Sequence, residues 1–353
     1  MKVDAALITT DLLACEARAA ELEAQGFAAA WSVEGQHDPF LPLALAARAT
    51  TRLELGTAIA VAFARNPMTC AQLAWDLQAI SRGRFVLGLG TQIRPHIERR
   101  FSQPWSRPAA RMREFALAIR AIWRAWGEGQ KLDFRGEFYT HTLMTPFFDP
   151  GPSPYGPPPI FLAGVGPRTT EVAGEVGDGF FVHPFHSPEF LRAETLPALE
   201  RGLALAGRAR HDFQVSCQTI VAIGTDAKQV ETARQKARGQ ISFYGSTPSY
   251  RGVLEHHGYP ELQPELNRLS KQGRWREMMG LVDDALFDRV AVSGTPAEAG
   301  RRLRERNAAF ADRTTLMLYD ETGDRDAVVE LLRAASVPSD TPDSGPADSC
   351  APR

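Results

Sequence analysis

Five short stretches of this 353-residue chain gather side chains able to do chemistry. WSVEGQHDPF (31–40) brings Glu34, Gln36, His37 and Asp38 together, a set suited to proton transfer and hydrogen bonding. Asp38 ahead of Pro39 would equally serve as a helix cap. GTAIAVAFARNP (56–67) sets small residues around Ala58 and Ile59, where a planar ring could approach the backbone and a bulge could press against it. Taken alone, Thr57-Ala58-Ile59 reads just as well as core. GLGTQIRPHIERR (88–100) joins Gly88 and Gly90, which permit close approach, to donors on Thr91, Gln92 and His96. A single G-x-G is weak, and His96 also fits a solvated loop.

The fourth stretch, AGVGPRTTEVAGE (163–175), is a glycine-rich turn feeding a helix. The free N–H groups at Gly164, Val165 and Gly166, ahead of Pro167, would hold an anion, with Arg168 as counter-charge. It lacks the lysine of a P-loop, which argues against a nucleoside triphosphate. The fifth, DGFFVHPFHSP (178–188), adds His183 and His186. A metal site from His37, Asp38, His183 and His186 is conceivable on residue type, but there is no H-x-H on the first strand and no HExxH helix, so the expectation is no metal.

The elements that must position these residues follow from periodicity. Short apolar runs alternate with stretches of helical spacing, as repeated βα units require. Strands are expected at 3–9, 27–33, 52–60, 84–90, 159–163, 179–182, 213–223 and 314–319, the barrel number. Asp11 is placed to cap the first helix, Gly26 to stop it, and Pro67 to open another. Trp123 and Trp126, in step with Ile119 and Ile122, read as the buried face of a long helix. The fold class is thus α/β, a (β/α)8 barrel with insertions at 127–158 and 244–273, after strands 4 and 7; a doubly wound open sheet is the alternative. Residues 1–336 would make one domain. The tail 337–353, rich in Pro, Ser and Asp, is expected to be disordered, with Cys350 free.

Bulk composition narrows the partners. With 40 Lys+Arg against 42 Asp+Glu the net charge is -2, so nucleic acid and anionic membrane are not expected. No apolar run reaches the ~18 residues of a membrane span, and no signal peptide precedes the first strand. Cys15, Cys70, Cys217 and Cys350 are scattered, which speaks against a disulfide framework or a zinc knuckle and fits reduced thiols. The expectation is a cytoplasmic protein with a small-molecule substrate.

The segment LELGTAIAVAFARNPMTCAQLAWDLQAISRGRFVLGLGTQ resembles the strand 3 to strand 4 region of the bacterial luciferase-like superfamily of flavin and deazaflavin oxidoreductases. RMREFALAIRAIW, GEFY, PPIFLAGVGP and EVAGEVGDGF extend the resemblance over residues 1–335. QHDPFLPLALAA, PHIERRFSQPWSRPAARMREF and ISFYGSTPSYR are similar to a branch described as coenzyme F420-dependent oxidoreductases. The resemblance implies a non-proline cis peptide at Ala58-Ile59 against the convex face of the cofactor ring. It implies cofactor phosphate contacts from Gly164, Val165, Gly166, Pro167 and His183, and ring or tail contacts from Gly90, Thr91 and His96. It also marks a departure: relatives often have a histidine directly after the acidic residue of strand 2, where Glu34 is here followed by Gly35.

The function expected from this is hydride transfer between reduced coenzyme F420 and a small organic substrate. His37 or Glu34 would move the substrate proton, with Gln36 and His96 orienting ring or substrate. An FMN-dependent monooxygenase, lidded by the two insertions, is the alternative. A cofactor-binding protein without turnover is a third, suggested by Gly35. A homodimer is expected from the resemblance alone.

Overall fold

The computed structural model describes residues 1–8 and 10–336; the expectation for 337–353 lies outside the described residues. Eight parallel strands close into a ring: β1 (Lys2–Leu7), β2 (Ala29–Ser32), β3 (Glu54–Thr57), β4 (Phe85–Gly90), β5 (Ile160–Ala163), β6 (Gly179–Val182), β7 (Gln214–Ile223) and β8 (Arg313–Asp320). Each pairs with the next, and β8 returns to β1 in the register Lys2 with Arg313 and Ala5 with Leu316. Strands buried on both faces read as near-continuous apolar runs, and FVLGLG and GFFV are buried throughout.

The surrounding helices begin and end where local chemistry dictates. A short turn capped by the Asp11 carboxylate, which accepts from the Leu13 N–H at 2.9 Å, leads into α1 (Cys15–Gln25), and Gly26 at φ 95° ends it. α2 (Leu41–Ala49) follows β2. Asn66 caps α3 (Pro67–Ile80), accepting from the Thr69 N–H at 3.0 Å, and α4 (Pro108–Glu128) buries Ile119, Ile122, Trp123 and Trp126. α5 (Pro167–Val176), α6 (Leu196–Leu205), α7 (Ala227–Gly245), α8 (Pro296–Asn307) and α9 (Arg325–Ser336) complete the outer layer. Thr295 and Glu298 close a capping box at the start of α8. No described helix is long and apolar enough to cross a membrane.

The barrel lumen is filled in layers. At the bottom, Arg313 forms a two-pronged ion pair with Asp4 at 2.7 and 3.0 Å and reaches Glu54 at 2.8 Å, while the Trp31 indole donates to Asp4 at 3.1 Å. Above this lies an apolar layer of Ala29, Trp31, Ala58, Val86, Phe161 and Phe181. Above this layer the barrel opens at the C-terminal ends of the strands, the end that carries chemistry in this fold.

Three elements depart from the expected layout. The run 52–60 is broken by a bulge: Gly56 pairs with Val86 but Ala60 with Leu89, so residues 57–59 face only 87 and 88. A further strand, Ala291–Gly294, pairs with Ile220–Ile223; four residues between two helices are too few to show a period of two. Residues 244–273, expected to be irregular, are largely helical, with helices Arg251–His256 and Leu262–Lys271. The amides of Gln263 and Asn267 fix them by donating to the Ser246 carbonyl at 3.0 Å, and Leu266, Leu269 and Met278 bury together. Within 127–158 there are a 3-10 turn, Pro146–Phe148, and a small hairpin, Phe134–Arg135 with Thr140–His141, held by the Glu114 carboxylate, which accepts from three consecutive N–H groups.

Candidate functional site

The bulge after β3 is the first feature of the open end. The Ala58-Ile59 peptide is cis, as the resemblance implied, and the Ala58 side chain joins the lumen layer. Missing ladder bonds are replaced by Thr57, whose hydroxyl donates to the Gly88 carbonyl at 2.6 Å and accepts the Gly88 N–H at 2.9 Å. A Cβ at Gly88 would be driven into the Thr57 carbonyl, and one at Gly90 would press on the Ile59 side chain. These glycines serve the approach of the two strands, a use that spacing alone does not reveal.

Glu34 locks the bulge from the other side. Its carboxylate accepts the Val61 N–H and an Arg65 N–H, each at 2.6 Å, while Arg65 also pairs with Asp38 at 2.8 Å. The Glu34 side chain is 7% exposed. Both bonds fall on one carboxylate oxygen, Oε2, and give Glu34 a positioning part in the bulge. Asp38 does not cap α2, whose N-cap is Phe40 without a side-chain bond; its carboxylate closes a local turn by accepting from the Phe40 N–H at 2.9 Å and also holds Arg65.

His37 is half-buried on the rim, its Nε2 3.3 Å from the Thr10 carbonyl, and Gln36 is exposed beside it. Arg100 donates to the Gly35 carbonyl at 3.1 Å and so ties the β2 and β4 loops together. Thr91 bonds the carbonyl of Gln92 at 2.9 Å, and His96 is exposed at the start of a π turn, His96–Arg100. Glu34, Gln36, His37, Thr91 and His96 all lie outside the linings of the two cavities described next.

The first cavity, about 550 Å3, is lined by Gly164, Val165, Gly166, Pro167, His183 and His186, with Tyr250 and neighbours of the 244–273 segment as its far wall. Gly166 has φ 89° and precedes Pro167 at the first position of α5. Gly164 has no room for a side chain against Thr169. The turn thus presents backbone to the cavity at a helix N-terminus, as an anion site requires. The sequence brought together these four residues and the two histidines correctly; Tyr250, stacked on His183 at 4.1 Å and 20°, it did not single out.

Burial holds both histidines neutral, each with its pKa lowered to about 3. Their hydrogen bonds then fix opposite tautomers. His183 Nδ1 accepts the Phe185 N–H at 3.1 Å, which puts the proton on Nε2. His186 Nδ1 lies 2.8 Å from the His183 carbonyl and must donate, which leaves Nε2 as an acceptor. That Nε2 is shut from solvent and has no partner among the described residues.

The second cavity, about 730 Å3, opens over Trp31 and Ala58 and is walled by Ala6, Val33, Gln218, Thr315, Met317 and Tyr319. Gln218, Thr315 and Tyr319 were not anticipated. Gln218 carried a signal: it is the one amide in the otherwise mostly apolar run VSCQTIVAI.

This arrangement recurs in known proteins. A family model described as luciferase-like monooxygenase matches residues 6–313. The uncharacterized Mycobacterium tuberculosis protein Rv1360 is 54% identical over 313 residues, covering 89% of this chain and 92% of its own. A 5,10-methylenetetrahydromethanopterin reductase of Archaeoglobus fulgidus is 28% identical, covering 81% of this chain and 84% of its own. The structure of the coenzyme F420-dependent tetrahydromethanopterin reductase from Methanopyrus kandleri superposes with a TM-score of 0.76 at 21% identity, covering 94% of this chain and 96% of that one. The closed eight-stranded barrel, the bulge after β3 and the extent of these matches lead to one statement of kinship: the chain belongs to the luciferase-like monooxygenase family.

Proposed function

We propose that the protein is a coenzyme F420-dependent oxidoreductase acting on a small organic substrate. The observation that carries this reading is the pairing, at one end of the barrel, of the Ala58-Ile59 bulge with the cavity of the Gly164–Pro167 turn and the two neutral histidines. The residues fit such a cofactor. The α5 N-terminus suits a phosphate, the orphaned His186 Nε2 suits a hydroxyl donor of a sugar-like chain, and the small Ala58 surface over Trp31 suits a flat ring. When bound, the deazaflavin would supply two-electron hydride chemistry. The chain's own part is to orient it: His183 offers a neutral Nε2–H donor, and Tyr250 covers that ring. His37 on the rim is the residue proposed to carry the substrate proton. The F420-dependent and methanopterin-reducing relatives support the choice of cofactor by their names.

An FMN-dependent monooxygenase remains the second reading. The helices of residues 244–273 favour it, because they bring Tyr250 over the first cavity and would exclude water there. A parallel titration of the apoprotein with F420 and FMN, oxidised and reduced, followed by tryptophan fluorescence, separates the two. The expected result is F420 binding at least ten times tighter than FMN; the reverse order would overturn the deazaflavin reading and make oxygen consumption the relevant assay.

A further inference from the structure

On the β2–β3 side of the open end Glu34, Asp38 and Thr57 are already in use. Glu34 is taken by Val61 and Arg65, Asp38 by Arg65 and Phe40, and Thr57 by Gly88. The opposite wall differs. Gln218 and Thr315 are direct partners in the β7–β8 register and both line the second cavity. Thr315 is 4% exposed, yet its hydroxyl has no hydrogen-bond partner among the described residues. Tyr319, four residues further along β8 on the same face, lines the cavity too. A buried hydroxyl without a partner carries a desolvation penalty that a ligand bound there would relieve.

Of the β7–β8 residues that line the cavity, Asp320 at the end of β8 is the one that carries a charge. Asp4, Glu54 and Arg313 are paired with one another beneath Trp31. The charged residues of the cavity, Arg18, Glu21, Asp324 and Arg325, belong to its outer arm between α1 and the start of α9, and the Asp320 carboxylate is occupied by Thr322. A charged substrate would meet no counter-charge over Trp31 and Ala58, whereas an uncharged one would meet an amide, a hydroxyl and a phenol among apolar side chains. We propose that the β7–β8 wall, through Gln218, Thr315 and Tyr319, recognises the substrate, and that it selects an uncharged molecule bearing a hydroxyl or carbonyl oxygen on a small apolar body.

The inference rests on the oxidoreductase reading for its purpose but not for its test. Saturation-transfer NMR on the full chain, with and without F420, compares cyclohexanol and cyclohexanone with cyclohexanecarboxylate and cyclohexylamine. The neutral probes are expected to give at least tenfold stronger transfer than the charged ones. Thr315→Val and Gln218→Leu are each expected to weaken it at least fivefold, while the melting temperature of Thr315→Val is unchanged or raised because that hydroxyl has no protein partner to lose. Equal transfer from the charged probes, or full transfer in both variants, overturns the proposal. Discrimination by the apoprotein together with failure to bind F420 supports this wall and refutes the cofactor reading; F420 binding without discrimination does the opposite.

Discussion

Glu34 shows how residue type and residue role can part. A carboxylate at the end of a barrel strand suggests proton transfer, but here it closes the bulge after β3 by accepting from Val61 and Arg65. Glu34→Ala would leave Arg65 short of its closer partner in a largely buried setting, and a loss of about 3 kcal/mol in urea unfolding is expected. His37, with its ring at the rim, is the residue proposed for proton transfer. His37→Ala should lower turnover about 100-fold with cofactor affinity unchanged; wild-type turnover would remove it from the mechanism. His183 and His186 act instead through neutrality. Their folded pKa values of about 3 lie below the ordinary 6.5, so between those values the unfolded chain binds protons that the folded chain refuses. Stability should therefore be fully present above pH 6.5 and fall as pH drops towards 3, by up to about 1.4 kcal/mol per pH unit for each ring. Denaturant titrations at pH 7.5 and 5 test this, and His186→Leu should flatten the difference by about half.

At the scale of elements, the β3–β4 pair is where sequence and geometry bear most directly on each other. The extra residue in β3 is accommodated because Thr57 supplies both a donor and an acceptor to Gly88 and because neither Gly88 nor Gly90 has a side chain to collide with. Gly88→Ala would force the strands apart at the Thr57 carbonyl, and about 2 to 3 kcal/mol of destabilisation is expected by urea unfolding, together with weakened F420 binding. Stability loss with intact F420 binding would show that the bulge and the cofactor surface are independent. On the other side of the barrel, residues 244–273 do not wander over the mouth but fold as helices anchored at Ser246. A bond of 2.7 Å between His257 Nε2 and the Ser187 hydroxyl fastens the same segment to the loop after β6.

For the molecule as a whole, ring closure is marked by an ion pair across the β8–β1 seam. Arg313 and Asp4, both fully shielded, bond each other twice, and Arg313 lies 4.8 Å over the Trp31 ring that floors the second cavity. Asp4→Ala alone should destabilise the barrel by about 3 to 5 kcal/mol, because Arg313 keeps only Glu54 as a counter-charge. The paired replacement Asp4→Leu with Arg313→Met should be markedly less harmful than the sum of the single changes, as a double-mutant cycle would show. Additive losses would mean that the two residues stabilise the seam separately.

The sequence by itself determined the barrel, because eight apolar runs separated by helical spacings leave few other ways to bury both faces of each strand. The turn 164–167 and His183 were legible for a similar reason: glycines ahead of a helix carry their own geometry. What decided the rest was contact between distant residues. Whether Glu34 is free or bound to Arg65, 31 positions away, is set by how β2 and β3 lie side by side. The tautomers of His183 and His186 depend on a turn that brings ring nitrogens to backbone groups. Gln218 and Thr315 face one another 97 residues apart, and only closing the ring places both over the same cavity with no partner of their own.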